Sequence, residues 1–537
     1  MTGTAPVVVV GAGPVGLVAA GLLGRYGVPT IVVERETAIH PLPRAANLDD
    51  EALRVLQGLG VSGRSAPWIT PTAGMRLVRA PGRPFWHFRD SVEPGLNGWP
   101  GANMFHQPGL ETALRQGLSR HPEVDLRTGW ELRTLRAGGG GAEVGLAPSG
   151  SPPGVCEVLS ARAVLACDGA RSTVRRLLGV GLRDRGFDQR WLVVDTEAER
   201  PLAGRHLLEQ VCIEQVCDAR RPATFVPMGG LRYRWEFLLH PGEHEGDVWA
   251  DASLEERSAP WTGGVEVRVV RRATYRFHAV SAERWRVGPV FLLGDAAHQM
   301  PPFLGQGLCA GIRDAANLTW KLALVGRGLA GDGLLDSYER ERRPHVDLVT
   351  TLATLLGRVV RARGPGARVL RGAFALAARL PAPLRAPLEQ VPTPGLRPGP
   401  LVLGPRGLPG RRAAGEAFPQ PTVVAPSHAR VLLDDVLGDG FALVGFGVDP
   451  VAGLPGRALG LWQRLGATTV RIAEPGRPAR PFEVDDQSGL LAGWFRRHRA
   501  ALAVVRPDRY VLAACAPGLA LAEITGRVAE ALRPPSA

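Results

Sequence analysis

Lysine is almost missing from this chain of 537 residues: a single one, Lys321, stands beside 63 arginines. With abundant Ala, Gly and Pro, that imbalance reads as the codon bias of a GC-rich genome. Runs of like charge are missing as well, although the formal net charge is +13. The arginines are spread along the whole chain without regular aromatic interleaving. That argues against nucleic-acid binding and for a solvated basic surface that also attracts anionic cofactors. Cysteine is scarce, and Cys156, Cys167, Cys212, Cys217, Cys309 and Cys515 contain no C-x-x-C pair. No zinc site or other metal is expected, and the cysteines read as reduced thiols. Nor does any stretch reach about 18 uninterrupted apolar residues, so no membrane span is expected. The apolar run Ala5–Leu23 lacks a positive leader and is broken by Gly11, Gly13, Pro14 and Gly16, unlike an export signal. A cytoplasmic protein without membrane contact is the expectation.

What is present is a long, half-apolar chain. At roughly 150 residues per domain, the length allows three or four structural units. Apolar residues make up 45%, and 68 Gly with 47 Pro stay below low-complexity levels, so wholesale disorder is excluded. Residues 6–10 (P-V-V-V-V) suit a buried parallel strand. The run G-A-G-P-V-G (Gly11–Gly16) then opens an apolar helix to about Tyr26, and T-I-V-V-E-R follows as a second strand. A G-x-G-x-x-G after a strand, opening a helix, with Glu34 placed 23 residues beyond Gly11, is a dinucleotide fingerprint. Gly11 permits the tight turn, Gly13 lets a pyrophosphate approach the backbone, and Gly16 lets helix and strand pack closely. The helix N-terminus offers N–H groups to phosphate, and Glu34 can accept from ribose hydroxyls.

Further along, residues 124–166 alternate as strands, interrupted near 138–141 and 149–154, and run into D-G-A-R-S at 168–172. Longer strands and loops fill 183–285. Strand, turn and helix return in G-P-V-F-L-L-G-D, P-P-F-L-G-Q-G and the helix from about Gly307. An Arg/Pro/Gly-rich stretch at 362–412 reads as a linker or wrapped segment, and the remainder as a small α/β domain. Tyr233, Trp235 and Phe237 alternate with Arg232, Arg234 and Glu236 along one strand, a stripe that suits packing as well as substrate contact.

The fingerprint, D-G-A-R-S, and G-D-A-A-H at 294–298 stand in order over about 300 residues. Together they resemble the flavin-dependent aromatic hydroxylases, the class A monooxygenases typified by p-hydroxybenzoate hydroxylase. Within them the likeness is greatest to the 3-(3-hydroxyphenyl)propionate hydroxylases and related phenol and polyketide hydroxylases. Supporting strings are H-P-L-P-R-A-A-N-L-D-D-E-A-L-R at 40–54, R-R-P-A-T-F-V-P at 220–227 and G-I-R-D-A-A-N-L-T-W-K-L at 311–322. R-P-D-R-Y-V at 506–511 resembles the thioredoxin-like tail of the larger members.

The resemblance implies an α/β fold in which a Rossmann-like FAD-binding domain is interleaved with a β-rich substrate domain and followed by a thioredoxin-like domain. The implied boundaries are 1–182 (FAD domain, with a substrate-domain excursion near 75–100), 183–285 (substrate domain), 286–361 (FAD domain again), 362–412 (linker) and 413–537 (thioredoxin-like). The implied non-covalent FAD site comprises Gly11, Gly13, Pro14, Val15, Gly16, Glu34, Arg35, Arg44, Gln107, Asp168, Gly169, Gly294 and Asp295. It continues through Pro302, Gly305, Gly307, Leu308 and Cys309, with Cys309 standing where many members carry Asn. Pro302, Gly305, Gln306 and Gly307 would lie nearest the flavin ring, while Phe225, Tyr233, Trp235 and Phe237 are candidate substrate contacts. The implied reaction uses NADH or NADPH as a transient co-substrate and O2, and hydroxylates a small aromatic substrate through a flavin C4a-hydroperoxide. Epoxidation or Baeyer–Villiger chemistry on a polycyclic polyketide stays open, as does monomer against homodimer. Halogenation is disfavoured, because Lys321 lies about four turns into a helix and no W-x-W-x-I-P string exists. Without C-x-x-C, the C-terminal domain is expected to serve packing or oligomer contacts.

Overall fold

The computed structural model describes residues 5–533 except 64–65, 153, 203–211, 219, 244–250, 363, 390–394, 404–412, 477 and 517–518. Strand β1 (Val7–Val10) is wholly buried, as a continuous β-branched run between two parallel neighbours should be. Helix α1 (Pro14–Arg25) follows, with proline at its first position, and β2 (Thr30–Glu34) closes the unit. Next come α2 (Asp50–Gly58), capped by the Asp49 carboxylate, and α3 (Gln107–Leu118). Strands β3 (Val124–Thr128) and β4 (Ala163–Ala166) complete the first half of a six-stranded sheet. Its order is Arg286–Val287, Val290–Leu292, β4, β1, β2, β3, parallel except for the first, edge pair. Between β3 and β4 lies a three-stranded antiparallel sheet, Trp130–Gly138, Gly141–Pro148 and Glu157–Ala161.

A second, eight-stranded sheet stands over the first. Its long members are β5 (Leu182–Ala198), β6 (Ala223–Pro227), β7 (Arg232–Leu238) and, after helix α4 (Asp251–Thr262), β8 (Val267–Ala282). Strands Gly74–Val78 and Pro84–Arg89, contributed from between α2 and α3, join its edge through Ile213–Val216. Two helices then run back beneath the first sheet's crevice, α5 (Gly307–Gly326) and α6 (Ser337–Arg361). The stretch read as a linker carries two further helices, Gly364–Ala377 and Ala382–Glu389.

The C-terminal residues form a four-stranded mixed sheet in the order Thr468–Ile472, Ala442–Phe446, Leu502–Val505, Val511–Cys515. Helices Gly456–Arg464, Leu490–His498 and Leu519–Ala531 accompany it. This sheet is not an appendage. Trp320 of α5 meets Phe441 edge to face at 5.6 Å, within a core shared by α5 and the C-terminal helices. Beside it, fully buried Arg506 pairs with Asp508 at 2.6 Å and with Glu341 of α6 at 2.8 Å, and Lys321 reaches the same Glu341 at 2.9 Å.

Candidate active site

Four parallel strands deliver their carboxyl ends to one crevice, the place where open α/β sheets bind ligands. β1 runs into Gly11–Gly16, β2 ends at Glu34, β4 leads through Cys167 to Asp168, and Val290–Leu292 leads to Gly294–Asp295. Gly11 has φ +99°, and a Cβ at Gly16 would overlap the Gly11 carbonyl oxygen. Gly13 differs: its φ of −71° suits any residue, and a Cβ there would meet nothing within 4 Å. No side chain caps α1, so its first-turn N–H groups are left for a ligand beside that open space. Glu34 leans over this loop, accepting the Ala12 N–H at 2.8 Å and the Glu36 N–H at 3.0 Å. Arg35 is exposed and pairs with Glu36 at 3.2 Å.

The loop carrying Arg44 is held from both sides. The Gln107 carboxamide oxygen accepts from the Arg44 and Ala45 N–H groups, each at 2.9 Å, and its nitrogen donates to Glu111 at 2.8 Å. Gln107 is thus spent on positioning the loop, while the Arg44 guanidinium stays exposed. From the second sheet, Arg234 donates to the carbonyls of Arg44 at 2.9 Å and Pro43 at 2.6 Å. Asp168 caps the following helix, accepting the Val174 N–H at 3.1 Å, and its second oxygen is buried without a partner. Gly169 takes φ +77° in the same turn.

The last segment is fastened by a residue the sequence reading passed over. Asp314 of α5 accepts the Gly294 N–H at 3.1 Å, pairs with His298 at 2.7 Å and receives Arg342 at 2.9 Å. Burial alone would raise its carboxyl, but His298 and Arg342 outweigh that and hold it low. Asp295 is instead open to solvent, yet crowding by protein pushes its carboxyl up against the pull of His298 and Arg44. Pro302–Leu304 then form a single tight turn, and Gly305 (φ +64°) passes so close to Asn47 that a Cβ would stand 2.9 Å from the asparagine Cβ. Helix α5 starts at Gly307 with neither a side-chain cap nor an acidic residue in its first turn. Its N–H groups at Gly307, Leu308 and Cys309 form a positive end beside this turn. The Cys309 thiol is buried 3.8 Å from the Asn47 carbonyl, and burial pushes it well above the usual thiol range. Two uncapped helix ends, the open space at Gly13 and the orphaned buried oxygens of Asp168 and Asn47 fit a dinucleotide that carries a flavin ring.

The C-terminal domain reaches this turn through a chain of polar contacts that sequence reasoning missed. Tyr510 donates to Glu51 at 2.5 Å, Arg313 pairs with Glu51 at 2.5 Å and with Asp49 at 2.6 Å, and Arg313 donates to Gln306 at 3.2 Å. Only the R-P-D-R-Y string signalled it.

The four aromatic candidates fall elsewhere. Strand alternation puts Phe225, Tyr233, Trp235 and Phe237 on the outer face of the second sheet, packed against Leu254 and Trp261 of α4. A cavity of about 350 Å³ on that side is bounded by Trp235, Phe237, Leu254 and Arg272, and neither the glycine loop nor the 301–309 turn borders it. The inner face, toward Arg44 and Phe303, carries Trp191, Asp195, Arg234 and Glu236. Trp191 and Phe303 meet edge to face at 5.5 Å.

Comparison with known proteins agrees with this geometry. The model of the family described as "FAD binding domain" matches residues 4–353, and that of the HcaD C-terminal domain matches 415–530. A 3-(3-hydroxy-phenyl)propionate/3-hydroxycinnamic acid hydroxylase of Burkholderia vietnamiensis is 39% identical over 94% of this chain and 93% of its own length. One from Klebsiella pneumoniae is 35% identical over 97% and 94%. Among solved structures, aklavinone-11 hydroxylase in complex with FAD and aklavinone superposes with a TM-score of 0.75 at 25% identity, covering 99% of each chain.

Proposed function

The chain belongs to the flavoprotein family defined by that FAD-binding domain, and from this premise we propose that it is an NAD(P)H-dependent monooxygenase that hydroxylates a 3-(3-hydroxyphenyl)propionate-type phenol. The observation that carries the reading is the meeting of the glycine loop, Asp168, Asp295 and the 301–309 turn at the carboxyl ends of one sheet's parallel strands, facing the second sheet. In this reading the α1 N-terminus and Gly13 take the pyrophosphate, Glu34 the adenosine ribose, and Arg44 with Asp168 the phosphate side. Asp295 takes the ribityl hydroxyls. Gly307, Leu308 and Cys309 turn their N–H groups to the pyrimidine edge of the ring and favour negative charge there. When bound, FAD supplies hydride acceptance from NAD(P)H and activation of O2 for transfer to the ring.

This chain's residues do the rest. Pro302 and Phe303 on one side and the inner face of the second sheet on the other form the walls between which the aromatic ring lies. Trp191, Val226 and Met104, all buried, exclude water from that space. The outer rings Phe225, Tyr233, Trp235 and Phe237 back the wall. Gly305, at positive φ and pressed against Asn47, lets the turn approach where the flavin ring would lie. The protein is assigned to the cytoplasm as a monomer or homodimer.

The test is NAD(P)H consumption by the FAD-loaded protein with and without 3-(3-hydroxyphenyl)propionate, with product mass. Oxidation should accelerate at least about tenfold, roughly 1.4 kcal/mol of barrier, and the product should gain one oxygen. A polycyclic aromatic polyketide serves as the rival substrate. Oxygenation of that compound alone would move the assignment to polyketide tailoring.

A further inference from the structure

Strand β7 runs along the wall that the second sheet contributes. At one end Arg234 grips the carbonyls of Pro43 and Arg44. At the other, Leu238 lies opposite Trp191, whose ring meets Phe303. Glu236 stands midway, about 7 Å along the strand from each, and side-chain alternation aims it to the same inner face. Its register partners are Val193 on β5 and Thr224 on β6. The residue is only 8% exposed, and among the described residues the charges that act on its carboxyl are Arg234 and Asp195, with no hydrogen bond beside them. The obvious counter-charge is engaged elsewhere: Arg234 holds Asp195 at 2.6 and 3.2 Å besides the two carbonyls, and Arg271 faces the same Asp195 at 3.6 Å. A largely buried carboxyl without a hydrogen-bonded counter-charge is costly to ionise, and such groups mark functional sites.

We propose that Glu236 is the group that receives the hydroxyl proton of the phenolic substrate. This rests on the function proposed above and names the residue that recognises that substrate's defining group. The O–H bond of the phenol breaks, its electron pair stays on the ring oxygen, and the proton bonds to a carboxylate oxygen of Glu236. The ring, now richer in electrons, accepts oxygen more readily, and the proton returns to the ring oxygen as the product leaves. Burial pushes the Glu236 carboxyl up to about 7, with Arg234 opposing and Asp195 reinforcing, so its affinity for a proton is suited to neutral pH.

The experiment compares wild type, Glu236→Gln and Glu236→Asp, each loaded with FAD, by hydroxylated product formed per NAD(P)H consumed. With 3-(3-hydroxyphenyl)propionate, the Gln variant should still show substrate-stimulated NAD(P)H oxidation, but its product yield should fall at least about tenfold in favour of peroxide. An analogue fluorinated beside the hydroxyl is more acidic and ionises in water in larger part at pH 8, so the Gln variant should recover a larger fraction of the wild-type yield with it than with the parent phenol. The Asp variant should lie between, and it decides the matter if the Gln variant fails to hold FAD. Equal yield in wild type and variant, or no rescue by the fluorinated phenol, overturns the role of Glu236 while leaving the function intact. Failure of the wild type to hydroxylate either phenol overturns both.

Discussion

Two glycines of the same loop should fail in opposite ways when each is given a methyl group. At Gly13 the backbone (φ −71°) accepts alanine, and the added Cβ has nothing within 4 Å. The apoprotein of Gly13→Ala should therefore keep its stability to within about 1 kcal/mol, helped slightly by a less flexible unfolded chain. The open space is where the pyrophosphate is proposed to lie. A methyl there acts as overpacking, about 1–3 kcal/mol, so FAD should bind roughly 5- to 150-fold more weakly. At Gly16 the new Cβ would overlap the Gly11 carbonyl oxygen and stand 3.2 Å from the Cys167 side chain. That oxygen belongs to backbone fixed by the Gly11 N–H bond to Val33 at 2.7 Å, so it cannot swing away. Gly16→Ala should destabilise the fold itself by about 3 kcal/mol or more. Urea unfolding of the apoproteins and fluorescence titration with FAD separate the two effects. A Gly13→Ala protein that binds FAD as tightly as wild type, or unfolds as easily as Gly16→Ala, would refute the assignment of that space.

Glu34→Ala should raise the FAD dissociation constant by about 1–3 kcal/mol in free energy, measured by the same titration, since a charge-assisted bond to the ribose is lost along with the support of the Ala12 N–H. Arg506→Leu leaves Glu341 and Asp508 facing each other in a fully buried site, and should cost about 3–5 kcal/mol in urea unfolding and expose the C-terminal domain to protease. Glu236→Gln should be more stable than wild type near pH 8 but not near pH 4. The folded-state carboxyl is raised from 4.5 to about 7, so its contribution is complete below 4.5 and is lost as pH rises through 7, to a limit of about 3 kcal/mol. Urea unfolding at both pH values checks this.

The parts of this architecture written in local sequence were readable. Val7–Val10, the glycine spacing and Glu34 announce a parallel strand, a tight turn and an acidic strand end within about 30 residues. The alternation of Arg232, Arg234 and Glu236 with three aromatic rings showed two faces, but which face meets the crevice depends on where a distant loop, Pro43–Arg44, docks. Asp314 looked like one polar residue of a helix. Its role comes from converging with Gly294, His298 and Arg342, and no local pattern encodes that convergence. The helices within 362–412 were hidden by composition, because Gly364-Pro365 and Pro381 read as breakers although proline is compatible with a helix start. Arg313 between Asp49 and Glu51, with Tyr510 behind, joins residues more than 450 positions apart.

The scarcity of lysine gives this protein an unusual handle. Lys321 is fully buried, its amine fixed to Asn317 at 2.8 Å and Glu341 at 2.9 Å, in the seam where α5 and α6 meet the C-terminal domain. No lysine amine is therefore available on the folded surface to acylating reagents. Covalent tagging of that one side chain requires the seam to part, so the rate of lysine acylation becomes a clock for its opening, legible by peptide mass without introducing any probe. Such a clock would run during turnover, and would tell whether the C-terminal domain stays docked throughout.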